Sequence, residues 1–342
     1  MSEEKKILAL VTARSGSKSV KDKNIRPIDG KPMLAYSIEH AKASRHINRI
    51  ILTTDSEEYA KIGKQYGAEI PFIRPAEYAT DSALDIDVFE HALGFLKEKE
   101  GYVPDIVVHL RPTYPFRNVE DIDTMIDIML ADETIDSLRS VKKNSVVPHK
   151  MWYLKEDGSL EPLMKDIPEA YNMPRQALPD TFVQNGNVDL LRPRCVFEYH
   201  SMTGKKIMGF EMKENYDVDS EADFDRVDKV LRARHGGMQF VFDIDGVIAS
   251  YREDLSYDKA FPEEKMIEVI NRLHDWGNRI VLYTARGYVT GIDWREVTEG
   301  QMKKWGLKYD ELLFTKPNGD FYVDDKMMDV SFLLKEFSSF TE

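Results

Sequence analysis

Two stretches of this sequence gather residue types that handle phosphate. The first, TARSGSKSVKDKN, sets Gly16 and small serines among Arg14, Lys18, Lys21 and Lys23, directly after an apolar run. A loop at the carboxyl end of a parallel strand can aim backbone N–H groups at phosphate oxygens while Lys and Arg neutralise the charge. It has neither the spacing of a Walker loop nor GxGxxG, and a solvated basic loop is the plain alternative. The second stretch, FDIDGVIAS, places Asp243 and Asp245 two residues apart at the end of an apolar strand; a strand closing in an Asp-Gly turn is the plain alternative there. Thr284 after RIVLYT, Lys316 before Pro317 and Asp324-Asp325 after FYV follow in order. Between the two stretches, YDVDSEADFD carries Asp217 and Asp219. On an extended segment that spacing points both carboxylates to one side. The competing use of the same residues is a cap: Asp219 or Ser220 for a helix beginning at Glu221, with Asp223 supporting its first turn.

The elements that must position these groups alternate. Short β-rich runs at Ile7–Val11, Asn48–Thr53, Ile70–Ile73 and Asp105–Leu110 are separated by helical patterns at Met33–Ser44, Glu57–Tyr66, Leu84–Lys97 and Val119–Leu130. Such alternation predicts crossover units and an α/β fold with a mainly parallel sheet, whose site lies beyond the carboxyl ends of the strands. The loops after Val11, Thr54 and Leu110 therefore matter most. Residues 142–190, punctuated by five prolines, read as extended arms and loops, a candidate inter-subunit element. A helix near Ser220–Arg234 stops at Gly236-Gly237, and QFVFDIDGV starts a fresh strand. The expected domains are 1–236 and 237–342. The second again alternates: strand 239–243, helix 263–276, strand 279–283, helix 296–305, strand 321–323.

The composition narrows the partners. The chain has 342 residues, 42% hydrophobic and 31% charged, enough for two packed cores. With 47 Lys and Arg against 60 Asp and Glu, its charge of −13 argues against a general nucleic-acid or anionic-membrane binder. Cys195 alone closes no intrachain disulfide, and no Cys and His cluster suggests zinc. MSEEKK lacks a signal-peptide apolar region, and no apolar stretch approaches about 20 residues. The expectation is a soluble cytoplasmic protein.

The order of motifs is more specific. Arg14-Ser15-Gly16-Ser17-Lys18, Lys23-Asn24-Ile25 and Gly30-Lys31-Pro32-Met33-Leu34 are followed by TTDSEE at 53–58, GAEIPFIRPAEYATD at 67–81, RPTYPFR at 111–117 and RQALPDTFVQNG at 175–186. Over roughly residues 6–232 this resembles the CMP-acylneuraminate and CMP-Kdo synthetases. The resemblance implies a Rossmann-like, CTP-dependent nucleotidyltransferase in which the hydroxyl of an acidic sugar attacks the α-phosphate and pyrophosphate leaves. It implies that Arg14, Ser17, Lys18, Lys23 and Asn24 cradle the triphosphate, with Lys18 and Lys23 acting in catalysis. It implies that Arg74 and Ser82 hold the nucleotide, and that Asp217 and Asp219 bind Mg²⁺. Arg111, Arg175 and Gln176 would meet the acceptor. Arg111 departs from the glutamine usual in the sialic-acid members, so N-acetylneuraminate is not assured; pairing with an acceptor carboxylate or phosphate and a salt bridge within the protein are both open for it.

The set Asp243, Asp245, Thr284, Lys316 and Asp324-Asp325 resembles the haloacid-dehalogenase phosphatases, and GIDWREVTEGQMKKWG and KPNGDFYVDDK look like small capsule-associated members. That resemblance implies a Mg²⁺-dependent phosphatase in which Asp243 is the nucleophile, Asp245 the acid and base, Thr284 and Lys316 hold the phosphoryl, and Asp243, Asp245, Asp324 and Asp325 make the metal site. The short gaps from Asp243 to Thr284 and from Thr284 to Lys316 leave no room for a cap domain, so the site is expected to be open, with Arg286, Tyr288 and Trp294 lining its mouth or merely packing. The reading is a bifunctional enzyme that dephosphorylates an acidic sugar and couples it to CMP, as a dimer or tetramer. Its alternatives are a cytidylyltransferase with a non-catalytic assembly domain, a binding or regulatory protein with neither activity, and a cytidylyltransferase for a phosphonate or phosphorylated polyol.

Overall fold

The computed structural model describes residues 5–18, 20–212, 216–316 and 327–338. The chain divides into two compact units, Met1–Asp223 and Phe224–Glu342.

In the first unit the elements run β1 (Ile7–Thr12), the short antiparallel pair β2 (Pro27–Ile28) and β3 (Lys31–Pro32), α1 (Met33–Ala43), β4 (Arg49–Thr53), α2 (Glu57–Tyr66), α3 (Asp85–Glu100), β5 (Ile106–Leu110), α4 (Val119–Ala131) and β6 (Ser137–Lys143). Then come the hairpin β7 (Trp152–Leu154) and β8 (Leu160–Pro162), β9 (Phe182–Leu191), α5 (Pro193–Phe197) and β10 (Ile207–Glu211). Six strands form one sheet in the order β10-β6-β9-β5-β1-β4. All neighbours are parallel except β9, which runs against both β5 and β6.

Strands β1 and β5 are buried nearly throughout because both sheet faces are covered. Ala9 and Val11 pack on one side with Leu34, Ile38 and Ile126, and Leu8 and Leu10 on the other with Phe89, Leu93 and Leu96. Each fully buried leucine contributes about 1.5–3 kcal/mol, so this double layer fixes where the strand ends point. Helix α2 shows how local chemistry sets the elements: Ser56 accepts from Tyr59 N at its start, and Gly67 closes it at φ 102°, a left-handed value that glycine adopts without strain.

Two expectations need correction. Ile70–Ile73 is not a strand; the chain makes a single bridge there, Glu69 to Ile51, and turns away. The mainly parallel sheet carries an antiparallel strand in its interior, β9, which occupies the end of a stretch read as loops. Its Phe182, Val183 and Gln184 are exposed, and its half at 187–191, which includes Asn187 and Asp189, is buried, so the sequence shows neither alternation nor a continuous apolar run.

The second unit takes in most of α6 (Glu221–His235), then β11 (Gln239–Phe242), α7 (Glu264–Asp275), β12 (Arg279–Tyr283), α8 (Arg295–Lys304), β13 (Glu311–Leu313) and α9 (Val330–Phe337). Strands β11, β12 and β13 form a parallel sheet with β12 in the middle. The units part at Asp223, within the first turn of α6, whereas the sequence places the boundary after that helix. Two contacts tie α6 to the second unit: Asn278 Nδ2 donates to Ala233 O at 2.7 Å, and Arg226 pairs with Glu336 at 3.3 Å. The expected strand at 321–323 lies outside the described residues. Among the described residues no helix is long and apolar enough to cross a membrane.

Candidate functional site

The carboxyl ends of β1 and β5 and the loops that follow them open onto a cleft of about 470 Å³. The loop after β1 is pinned before it reaches any ligand. Ser15 donates through its N–H (2.8 Å) and its hydroxyl (2.5 Å) to Asp55, beyond the end of β4, and Gly16 turns at φ 70°. Asn24 Nδ2 donates to Arg14 O at 2.9 Å, and Leu34 N, at the start of α1, donates to Asn24 O at 2.7 Å. The loop is therefore tied at both ends, and Arg14, Ser17, Lys18, Lys23 and Asn24 all line the cleft.

The cations are arranged by carboxylates. Arg14 Nη2 and Lys18 Nζ both meet Asp81, at 2.7 and 2.5 Å, and those two hydrogen bonds, Lys18 first, hold the Asp81 carboxyl below its usual range. Lys23, largely buried, donates to Val218 O at 2.7 Å and to Asp219 at 3.2 Å. Arg74 is buried in the cleft wall, its Nε and Nη2 without a hydrogen-bond partner and the Asp55 carboxylate 4.0 Å away. Burial draws its pKa down. Those unspent donors make Arg74 a group waiting for an anion.

Asp219 lines the same cleft as Lys23, and Asp217 precedes it by two residues. Tyr114, on the loop after β5, places its hydroxyl 3.0 Å from Asp217 Oδ2, while Asp217 Oδ1 is buried without a partner. Burial, and after it the charge of Asp219, raises the Asp217 pKa. A carboxylate oxygen kept dry and unpaired beside a second carboxylate fits a divalent cation. The capping use holds at the same time: Ser220 Oγ accepts from Asp223 N at 3.2 Å, and Asp223 accepts from Ser220 N and Oγ.

Other expected residues stand elsewhere. Ser82 is exposed beside the cleft, its hydroxyl 3.3 Å from that of Thr80, a lining residue. Arg175 and Gln176 lie exposed on a short helical turn, Arg175–Ala177, and do not line the cleft. Arg111 lines it, with its guanidinium paired to Asp189 and Asp85, each at 2.7 Å, and bonded to Gly186 O at 3.0 Å. The sequence reading missed Asp81, which stands inside the quoted ATD run; its signal is an acidic residue in a loop that faces a basic one.

In the second unit, the parallel register sets Phe242 beside Leu282 and Tyr283 beside Leu313, so the residues that follow, Asp243, Thr284 and Lys316, emerge at one sheet edge. Lys316 Nζ donates to Asp243 Oδ2, and Ile244 N to Asp243 Oδ1 at 2.8 Å. Thr284 is fully buried; its N–H donates to Leu313 O, and its hydroxyl oxygen accepts from Arg286 N at 3.1 Å. Asp245 is held by Arg286, whose Nε reaches its oxygens at 3.1 and 2.9 Å and whose Nη2 lies 2.7 Å from Oδ1. Arg286 is fully buried, with Nη1 donating to Thr298 Oγ1 and Gln301 Oε1. It is therefore neither mouth lining nor plain packing, while Tyr288 is exposed. Asp324 and Asp325 lie outside the described residues. Among the described residues no group of three or more His, Cys, Asp or Glu side chains is gathered for a metal.

Comparison with known proteins agrees with this geometry in the first unit. The family model described as Cytidylyltransferase matches residues 8–234. The chain is 32% identical over 233 residues, 67% of its length and 96% of the relative's, to post-translational flagellin modification protein B of Campylobacter coli. It is 29% identical over 231 residues, 66% of its length and 96% of the relative's, to the CMP-N,N'-diacetyllegionaminic acid synthase of Legionella pneumophila. A solved CMP:2-keto-3-deoxy-manno-octonic acid synthetase, complexed with CTP, shares the fold at TM-score 0.51 and 16% identity, covering 66% of this chain and 98% of that one.

Proposed function

This chain belongs to the cytidylyltransferase family, and on that premise we propose that its first unit couples CTP to a nonulosonic acid, giving a CMP-sugar and pyrophosphate. The observation that carries the reading is the cleft: Arg14, Lys18, Lys23 and Arg74 converge on one space edged by Asp219, with Asp217 and its unpaired oxygen next to it. The names of the relatives supply the acceptor class.

In the reaction the acceptor's hydroxyl oxygen bonds to the α-phosphorus, the bond to the bridging oxygen breaks, pyrophosphate leaves and the hydroxyl proton passes to solvent. Negative charge grows on the leaving group. Arg14 and Lys18 meet the triphosphate by exchanging Asp81 for phosphate oxygens, and Arg74 donates through its free N–H groups. Lys23, fixed by Val218 O and Asp219, needs little reorganisation to face the developing charge. Asp217 and Asp219 would hold Mg²⁺, which would supply neutralisation of the charge on the triphosphate. Arg111, committed to Asp85 and Asp189, shapes the acceptor side; Arg175 and Gln176 reach an acceptor only if their turn approaches the cleft. The test supplies CTP, Mg²⁺ and a panel of nonulosonic acids and scores pyrophosphate. No release with any of them sinks the proposal.

For the second unit, the Asp243–Lys316 pair beside Thr284 supports a phosphatase for a sugar phosphate. The Asp243 oxygen bonds to phosphorus, the sugar–oxygen bond to phosphorus breaks, and the leaving oxygen takes a proton; water then splits the acyl phosphate. Lys316 and Thr284 offer the phosphoryl a cation and a hydroxyl, and Asp243, with Asp245 and the aspartates at 324 and 325, would hold Mg²⁺. Both oxygens of Asp245 are occupied by Arg286, so proton transfer at Asp245 requires that pair to open. Orthophosphate release from phosphorylated acidic sugars, equal in wild type and Asp243→Asn, sinks this assignment.

A further inference from the structure

Arg117 is a buried guanidinium that pairs with no carboxylate among the described residues. Its Nε–H donates to Asn187 O at 3.0 Å, Nη1 to Ser37 Oγ at 2.9 Å and to Tyr114 O, and Nη2 to Arg111 O. Every acceptor is neutral. Burial lowers its pKa to about 9, which still leaves it charged at neutral pH. Taking a cation out of water without a counter-ion is costly, and hydrogen bonds to neutral oxygens offset only part of that cost. What the arrangement gains is geometry: one planar fork ties α1, the loop after β5 and strand β9 together.

That loop matters for the cleft. It presents Arg111, Pro112 and Thr113 to the ligand space, and turns Tyr114 inward, where its ring is 2% exposed and lies 5.7 Å from the Arg117 guanidinium carbon. The Tyr114 hydroxyl then stands against Asn185 O and 3.0 Å from Asp217 Oδ2. A phenol has one proton, so its aim between these acceptors depends on where the ring is held. The carbonyls that Arg117 grips are those of Tyr114 itself and of the residue that starts the loop.

We propose that Arg117 is a positioning residue for the cation end of the cleft: by clamping the carbonyls of Arg111 and Tyr114 it aims the Tyr114 hydroxyl at Asp217 Oδ2 and leaves Oδ1 open to a divalent cation. The proposal rests on the reading of Asp217 as a cation ligand. Groups that orient metal ligands typically change metal affinity by about 10–100-fold when replaced.

The test is Mn²⁺ binding to the full-length chain, followed by the electron paramagnetic resonance of the free ion without CTP, with thermal melting recorded alongside. Asp217→Asn identifies the first unit's site as the one it abolishes. Arg117→Lys keeps the charge and loses the fork; Tyr114→Phe keeps the ring and loses the hydroxyl. Both should weaken that site about 10- to 100-fold, while the KM for CTP at saturating Mn²⁺ stays within about 3-fold of wild type. A lower melting temperature with unchanged Mn²⁺ affinity in Arg117→Lys makes Arg117 a structural residue only and overturns the proposal. Should Arg117→Lys fail to fold, unchanged affinity in Tyr114→Phe overturns it instead. If Asp217→Asn leaves Mn²⁺ binding intact, the cation reading of Asp217 fails and takes the proposal with it.

Discussion

The two units solve the same electrostatic problem in opposite ways. In the first, the basic groups of the cleft are only partly satisfied: Arg74 has donors without partners, and Arg14 and Lys18 share one exposed carboxylate, Asp81. In the second, among the described residues, Asp243 is matched by Lys316 and Asp245 by Arg286. A site with unspent donors and a space of about 470 Å³ suits a large polyanion that completes the hydrogen bonding itself. A site closed on itself suits a small phosphoryl group that must displace one ion pair. The histidines differ as well: His109 and His149 are buried in the first unit, while His235 of the second is exposed and His274 half-buried.

The sharpest way to separate the two is to remove the nucleophile proposed for the second unit. Asp243→Asn is expected to reduce orthophosphate release by about 10⁴-fold or more, the scale on which losing a covalent nucleophile acts, and to leave pyrophosphate release from CTP unchanged. Loss of both activities together would mean that the two sites are not independent. The mirror experiment is Lys23→Ala, for which kcat/KM of cytidylyl transfer should fall about 10²–10³-fold, as when one preorganised donor to developing charge is lost; a drop below 10-fold would make Lys23 a structural tie to Val218.

Acid should tell the units apart next. Burial, then Arg117 and Lys31, lowers His40 to about 3, and burial, then Arg111, pulls His109 well below its ordinary value of 6.5. The unfolded chain therefore takes up protons that the folded unit refuses. Each group costs stability as pH falls from 6.5 toward its folded value, by about 1.4 kcal/mol per pH unit. Calorimetry at pH 7 and pH 5 should show the first unit's transition moving down more than the second's, and equal movement would contradict the contrast. The smallest effect belongs to Asp81. Exposed ion pairs contribute little, so Asp81→Asn should tighten CTP binding by at most about 5-fold, read by titration calorimetry. Weaker binding would mean that Asp81 orders the cations rather than competes for them.

Much of the cleft was legible because its residues are adjacent in sequence. TARSGSKSVKDKN carries its cations on one loop behind one apolar strand, and the chain needs only to end that strand at a sheet edge for Arg14, Ser17, Lys18, Lys23 and Asn24 to converge. Asp243 and Asp245 likewise lie two residues apart behind one apolar strand. Strand β9 was not: its buried half-turn of pattern, Val188–Leu191, is too short to outweigh the prolines and polar residues before it, and its place in the sheet depends on β5 and β6. The Ile70–Ile73 run is apolar, but Pro71 lacks an N–H for a ladder, and the one bridge nearby belongs to Glu69, before the run.

Sequence by itself determined which side chains are present and which of them travel together on a loop, because covalent spacing holds Asp217 two residues from Asp219 and Lys18 two from Gly16 whatever the fold. Only the tertiary structure decided which charges face each other. Arg111 lines the cleft while pairing with Asp85 and Asp189; Arg286 could have lined a mouth, and instead grips Asp245. These pairings join residues far apart in the chain, and their strength depends on burial and on distances of a few ångströms, quantities that exist only once the sheets have assembled.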